Sequence, residues 1–134
     1  ARFKPITVLT VSPLEEDHVS LRRICAGCHW RVVETHNCRE ALRVARRNPM
    51  TVVICERDLP DGDWHDIWEG IAPLAPHPTL IVTSVHADEH LWAEVLNLGG
   101  YDVLVKPFDA QEVCRIVGRA WERVRATAHR VEAA

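Results

Sequence analysis

Apolar and polar positions vary on two scales along this chain. Short apolar runs recur at residues 6–11 (ITVLTV), 30–35, 51–55 (TVVIC), 79–84 (TLIVTS) and 102–105. Longer stretches with apolar residues three or four apart lie between them. The short runs read as strands, because they are rich in β-branched side chains and bounded by turn formers. The run 51–55 lies between Asn48-Pro49 and Pro60-Asp61-Gly62 and is apolar almost without a break. That is the pattern of a strand buried on both faces, the centre of a parallel sheet. Glu56 ends it. Glu56 and the polar loop after it therefore fall at the carboxyl edge of the sheet, where open α/β folds place their sites.

The intervening stretches predict five helices. Residues 14–26 place Leu14, Leu21, Ile24 and Cys25 inward, with an acidic first turn of Glu15, Glu16 and Asp17 and Gly27 as the closing residue. Asn37 and Glu40 then have the spacing of a capping box. Cys38, Ala41, Leu42 and Ala45 form the apolar face of that second helix, and Arg39, Arg43, Arg46 and Arg47 its solvated face. A short third helix, about 64–71, is closed by Pro73, Pro76 and Pro78. A fourth, 88–98, stops at Gly99-Gly100. The last opens at Asp109 with Glu112 three positions on. It carries the stripe Val113, Ile116, Val117, Ala120, Trp121 and Val124, and gathers Arg119, Arg123, Arg125 and Arg130 toward its end. Alternation of this kind predicts a doubly wound α/β fold, a five-stranded parallel sheet with helices on both faces. Residues 1–134 read as one domain, with a core of about 5–126 and a C-terminal tail, 127–134.

Composition narrows the functional classes. The formal charge of −3 makes no general case for nucleic-acid binding. No apolar run approaches the ~20 residues of a membrane span. The opening Arg2-Phe3-Lys4-Pro5 leads straight into the first strand without a leader pattern. These features predict a cytoplasmic protein. Its five cysteines then read as reduced thiols, Cys55 in the central strand and Cys38 and Cys114 on helix faces.

Leu59-Pro60-Asp61-Gly62 follows the third strand, Ser84 ends the fourth, Gly99-Gly100 precedes the fifth, and Lys106-Pro107-Phe108 follows it. In this order and spacing they resemble the receiver domain of bacterial two-component response regulators, over roughly residues 5–126. The resemblance implies a flavodoxin-like (βα)5 fold with strand order 2-1-3-4-5. It also implies phosphoryl transfer to an Asp at the end of the third strand, Mg²⁺ held by an acidic pair after the first, and phosphoryl oxygens bound by a Ser/Thr and a Lys. Carried over by position, the phosphoacceptor falls on Glu56, the acidic pair on Ser12 and Pro13, and the aromatic switch residue on Val103, with Tyr101 two residues away. The phosphoryl-binding positions are filled by Ser84 and Lys106.

These departures have direct consequences. Mg²⁺ needs oxygen ligands in near-octahedral geometry, usually with carboxylates. Ser12 offers a neutral hydroxyl and Pro13 no side-chain oxygen, so the ion is expected to be lost. A Glu nucleophile is also displaced by one methylene, ~1.5 Å, and misplacement of that order costs heavily in rate. The expectation is a pseudo-receiver: no enzyme, no cofactor, no metal, no phosphorylation at Glu56, and action through protein contacts. The plainer reading of Glu56 is a relic in a disused site. The sharper one is an ion pair with Lys106, Ser84 donating, that imitates the phosphorylated arrangement. Asp58, Asp61 and Asp63 read as solvated loop and cap residues. An alternative makes the domain phosphorylatable at another carboxylate, Asp58 or Asp17.

Three other patterns carry a chemical signal. Cys25-Ala26-Gly27-Cys28-His29 matches the C-x-x-C-H spacing of haem attachment and gives a remote reading as a haem or metal sensor. Against it stand the absence of an export signal and of a pocket. His86-Ala87-Asp88-Glu89-His90 matches an inverted zinc-protease motif, but His86 falls in a loop rather than on the helix. Trp92 and Trp121 lie on the last two helices, where an exposed apolar patch marks a homodimer interface. The expected partners are proteins, a histidine kinase or an output domain, with neither nucleic acid nor membrane.

Overall fold

All five predicted strands form in the computed structural model, which describes the backbone of residues 6–133 and the side chains of residues 6–126. They are β1 (Thr7–Val11), β2 (Arg31–Thr35), β3 (Val52–Glu56), β4 (Thr79–Ser84) and β5 (Asp102–Val105). Every pairing is parallel and the order is β2-β1-β3-β4-β5. The helices are α1 (Glu15–Gly27), α2 (Cys38–Arg47), α3 (Trp64–Ile71), α4 (Glu89–Leu98) and α5 (Ala110–Ala133).

Strand alternation sends successive side chains to opposite faces, and both faces are covered. Val8, Val52, Ile54, Ile81 and Leu104 pack with Leu21 and Cys25 of α1 and with Val113, Ile116 and Val117 of α5. Leu9, Val53, Cys55, Leu80 and Val82 pack on the other side with residues of α2, α3 and α4, among them Ala41, Trp64, Ile67 and Val95. Burying an aliphatic side chain of this size stabilises a fold by roughly 1.5–3 kcal/mol. Two such layers cover the sheet on both faces.

The helix ends differ from expectation in instructive ways. Leu14 is not inward: it is the N-cap residue of α1 and 42% exposed. Stepping back three and four residues from buried Leu21 reaches His18 and Asp17, and these polar residues are the buried ones. Gly27 is the last helical residue, and the turn beyond it is made by His29 at φ 60. At α2 the Asn37 side chain accepts from the Glu40 N–H, but the Glu40 carboxylate lies 3.3 Å from His36 Nδ1. The reciprocal box forms instead at α3, between Asp63 and Asp66. Asp109 accepts from the Glu112 N–H as expected. α5 continues to Ala133, so most of the expected tail is helix. Arg2-Phe3-Lys4-Pro5 and the side chain of Arg130 lie outside the described residues.

A two-residue antiparallel ladder, Asp58–Leu59 with Gly62–Asp63, tightens the loop after β3. Gly62 has φ 156, and a Cβ there would collide with the Asp66 carboxylate. Gly99 closes α4 at φ 109, and a Cβ there would sit 2.7 Å from the Trp68 ring. The expectation of five free thiols fails for two of them. Cys28, beyond α1, is bonded to Cys114 in α5, 86 residues away, while Cys25, Cys38 and Cys55 are free and buried. No helix among the described residues is long and apolar enough to cross a membrane.

Candidate functional site

Strand ends converge at the carboxyl edge, and four of them deliver the site. β3 ends in Glu56, whose register partner on β4 is Thr83. Lys106 follows β5 and Ser12 follows β1. Asp17 enters from the first turn of α1, on its inward side.

Lys106 Nζ lies 2.7 Å from Glu56 Oε2 and 2.9 Å from Asp17 Oδ2. The three side chains are only 8%, 12% and 6% exposed, so solvent screens these charges poorly. Thr83 Oγ1 donates to Glu56 Oε2 at 3.0 Å. Ser12 Oγ donates to Asp17 Oδ2 at 2.6 Å and accepts from the Leu14 N–H at 3.1 Å. One ammonium thus bridges two carboxylates, each also held by a hydroxyl. Burial alone pushes the Lys106 pKa down. The hydrogen bonds and charges of Asp17 and Glu56 together outweigh it, and the pKa stands above the ordinary lysine value.

His18 supports Ser12 from beneath. Its Nε2 is 2.8 Å from the Ser12 carbonyl oxygen, which can only accept, so Nε2 carries the proton. Its Nδ1 is 3.0 Å from the Thr10 hydroxyl.

Ser84 does not donate to Glu56. Its hydroxyl accepts from the His86 N–H at 3.0 Å, and Thr83 takes the expected role because the parallel register pairs it with Glu56. Val103 is half-buried and, with Trp92, lines a groove between β5 and the start of α4. Tyr101 packs on the α1/α5 core under Arg123, 5.6 Å from its ring centroid, and does not replace the residue missing at Val103. Asp58 is exposed, 3.3 Å from Arg57, and is not brought to the cluster. Asp61 ties the loop to α2, accepting from the Cys38 and Arg39 N–H groups at 2.8 and 3.0 Å.

This arrangement does not suit the Mg²⁺ that the fold implies. The oxygens nearest the acceptor position already face an internal ammonium and two hydroxyls, and Pro13 contributes no side-chain oxygen. The haem or metal reading also fails on geometry. Cys28 is bonded to Cys114, and Cys25 lies in the core with its thiol pushed up to about 11 by burial. His86 lies in a loop, His90 is 3.9 Å from Glu94, and no cluster among the described residues could hold a metal ion. Of the two tryptophans expected at an interface, Trp121 is half-buried against the core and Trp92 is 50% exposed.

The sequence singles out Asp17 only as a first-turn acid and as an alternative acceptor, and gives no role to His18 or Thr83. A signal for each existed: the helical spacing back from Leu21, and the parity of β4 against β3.

The geometry agrees with comparison to known proteins. The family model described as "Response regulator receiver domain" matches residues 16–118. The response regulator protein FleR of Pseudomonas aeruginosa is 31% identical over 112 residues, which is 79% of this chain and 23% of FleR. The receiver domain protein (CheY-like) of Methanospirillum hungatei superposes with a TM-score of 0.83 at 16% identity, over 92% of this chain and 99% of that one. A response regulator receiver domain from Clostridium thermocellum gives 0.83 at 21% identity, over 91% and 98%. The chain spans less than half the length of the curated relatives it matches.

Proposed function

Because the chain belongs to the response regulator receiver domain family, we propose that it is a pseudo-receiver, a signalling module whose phosphoacceptor position is permanently engaged. One observation carries this reading: Lys106 holds both Glu56 and Asp17 within 2.9 Å. In a working receiver a lysine at this position would be available to an incoming phosphoryl group. Here an internal carboxylate takes that place, one methylene longer than Asp, with Thr83 as its second donor. With Ser12 and Pro13 at the acidic pair, no carboxylate pair holds the Mg²⁺ that would offset repulsion between a phosphoryl group and Glu56. The domain then works without a cofactor or catalytic residue, through contacts with a cytoplasmic protein partner such as a histidine kinase or an output domain.

The test is a titration with Mg²⁺ followed by beryllofluoride, a phosphoryl mimic, read by backbone amide shifts and tryptophan fluorescence. No saturable change at Glu56, Thr83, Ser84 and Lys106 is expected. Saturation at millimolar Mg²⁺ would overturn the proposal. A second reading makes Asp17 the acceptor, favoured by its burial beside Lys106. It would appear in the same titration as shifts centred on Asp17.

A further inference from the structure

The five cysteines divide by access. Cys25, Cys38 and Cys55 are 0%, 6% and 0% exposed. Cys28 and Cys114, bonded to each other across α1 and α5, are half-buried. Thiol–disulfide exchange needs an attacking thiolate to reach a sulfur, so access selects this pair. The bond is anchored in an unusual helix end. The Trp30 N–H donates to the Cys25 carbonyl oxygen at 3.0 Å and the His29 N–H to that of Ala26 at 3.1 Å, the two bonds that close a helix on a left-handed residue. That residue is His29, and among the described residues it is the one non-glycine with a positive φ. A side chain is disfavoured there relative to glycine, yet Gly27 is left inside the helix, two positions earlier. Cys28 lies between the two and is tied to α5.

Packing beneath the bond does not depend on it. Leu21 and Cys25 of α1 lie in one apolar cluster with Val113, Ile116 and Val117 of α5. Opening the bond therefore frees the turn after α1 without unpacking the helix, and both redox states are folded. We propose that Cys28 and Cys114 form a redox-modification site, a dithiol that exchanges with low-molecular-weight thiols in the folded domain and so fixes or frees the end of α1. In the exchange, a thiolate such as that of glutathione attacks one sulfur, forms a mixed disulfide and releases the other sulfur as a thiolate. A second glutathione attacks the mixed disulfide and leaves as glutathione disulfide. Two electrons pass from two glutathiones to the pair, and their two protons end on Cys28 and Cys114. Oxidation is the reverse and consumes one glutathione disulfide. The inference rests on the proposed function only for its cytoplasmic setting, where disulfides are usually transient and redox-sensing rather than permanent.

The test incubates the folded chain at neutral pH in mixtures of reduced and oxidised glutathione. Free thiols are trapped by alkylation in the folded state and counted by mass, while backbone amide shifts follow the structure. The expected result is a reversible gain of two thiols, Cys28 and Cys114, as reduced glutathione rises through the millimolar range, with Cys25, Cys38 and Cys55 unmodified. Amide shifts should move at Cys28, His29, Trp30 and Cys114 and stay fixed at Leu21, Ile54 and Ala120. Cys28→Ser should keep the fold and lose the response at every ratio. Opening of the bond only after unfolding in urea would make it a structural crosslink and overturn the inference. Unchanged His29 and Trp30 amides on opening, loss of the Leu21 and Ile54 signals, or glutathione left on Cys28 or Cys114 as the end product would overturn it as well. So would a response that survives in Cys28→Ser. The beryllofluoride titration reports on Glu56 and Lys106 instead, so either proposal can fail while the other stands.

Discussion

Lys106 and Asp17 are 89 residues apart in the chain, yet their Nζ and Oδ2 atoms are 2.9 Å apart in the fold. The contact joins the loop after β5 to the first turn of α1. With Glu56 on its other side, Lys106 forms a buried triad of two carboxylates around one cation. Buried ion pairs contribute little over a well-packed apolar replacement, but breaking one by removing a single partner is costly. Several consequences can be measured.

Lys106→Ala leaves Asp17 and Glu56 facing each other without a counter-charge. The expected loss is about 3–5 kcal/mol at neutral pH, read by urea unfolding. Two buried carboxylates with the Ser12 and Thr83 hydroxyls then resemble a divalent-ion donor set. Mn²⁺ or Mg²⁺ should raise the melting temperature of the variant and leave the parent unchanged. No metal response in a folded variant would mean that the oxygens cannot converge.

Glu56→Asp alone should not restore beryllofluoride binding, because Ser12 and Pro13 still supply no carboxylate. Restoration should require Ser12→Asp and Pro13→Asp as well. Binding by the single variant would show that Asp17 already serves as the missing carboxylate.

Alkaline stability follows from buried groups whose pKa is raised in the folded state, the Cys25, Cys38 and Cys55 thiols and Lys106. Cys25 stands at about 11 through burial, against ~8.5 for a free thiol. Lys106 stands above its ordinary value, the Asp17 and Glu56 interactions outweighing burial. Each group keeps its proton longer folded than unfolded. Its contribution is therefore full below the unfolded pKa and is lost as pH rises through the folded one. Stability should fall from about pH 8.5 upward, with Cys25→Ala flattening the first part of that decline. A urea midpoint followed from pH 7 to 11 checks this.

The Cys28–Cys114 bond has a direct chemical readout. Alkylation of the unreduced, unfolded protein should modify Cys25, Cys38 and Cys55 only. Prior reduction should add Cys28 and Cys114. Five modified thiols without reductant would show that the pair is open under the conditions of preparation.

Asp61→Ala tests the long-range cap on α2. Its carboxylate is held below the ordinary range, chiefly by the Cys38 N–H, with Arg39 adding to it. Losing an acceptor of this kind costs about 1 kcal/mol, with the Asn variant nearer the parent. Unfolding of both variants against the parent gives the comparison.

The sequence alone determined the α/β class, the element boundaries to within a residue or two except at the end of α5, and the carboxyl-edge location of Glu56, while the family resemblance implied the strand order and the place of Lys106. These follow from apolar periodicity and turn residues, which are local, and from motif spacing along one chain. It also showed what was missing at Ser12 and Pro13. Only the tertiary structure decided what fills the site in their place. By pattern, Asp17 is one of three first-turn acids suited to a helix dipole. It became a buried partner of Lys106 because α1 turns that position toward the sheet edge. Thr83 displaced Ser84 as donor because strand register pairs it with Glu56. Cys28 bonded to Cys114 rather than pairing with Cys25, since Cys25 points into the core while Cys28 lies beyond the helix end beside α5. Each outcome depends on which faces meet after packing, and separations of 27, 86 and 89 residues leave no trace in local pattern.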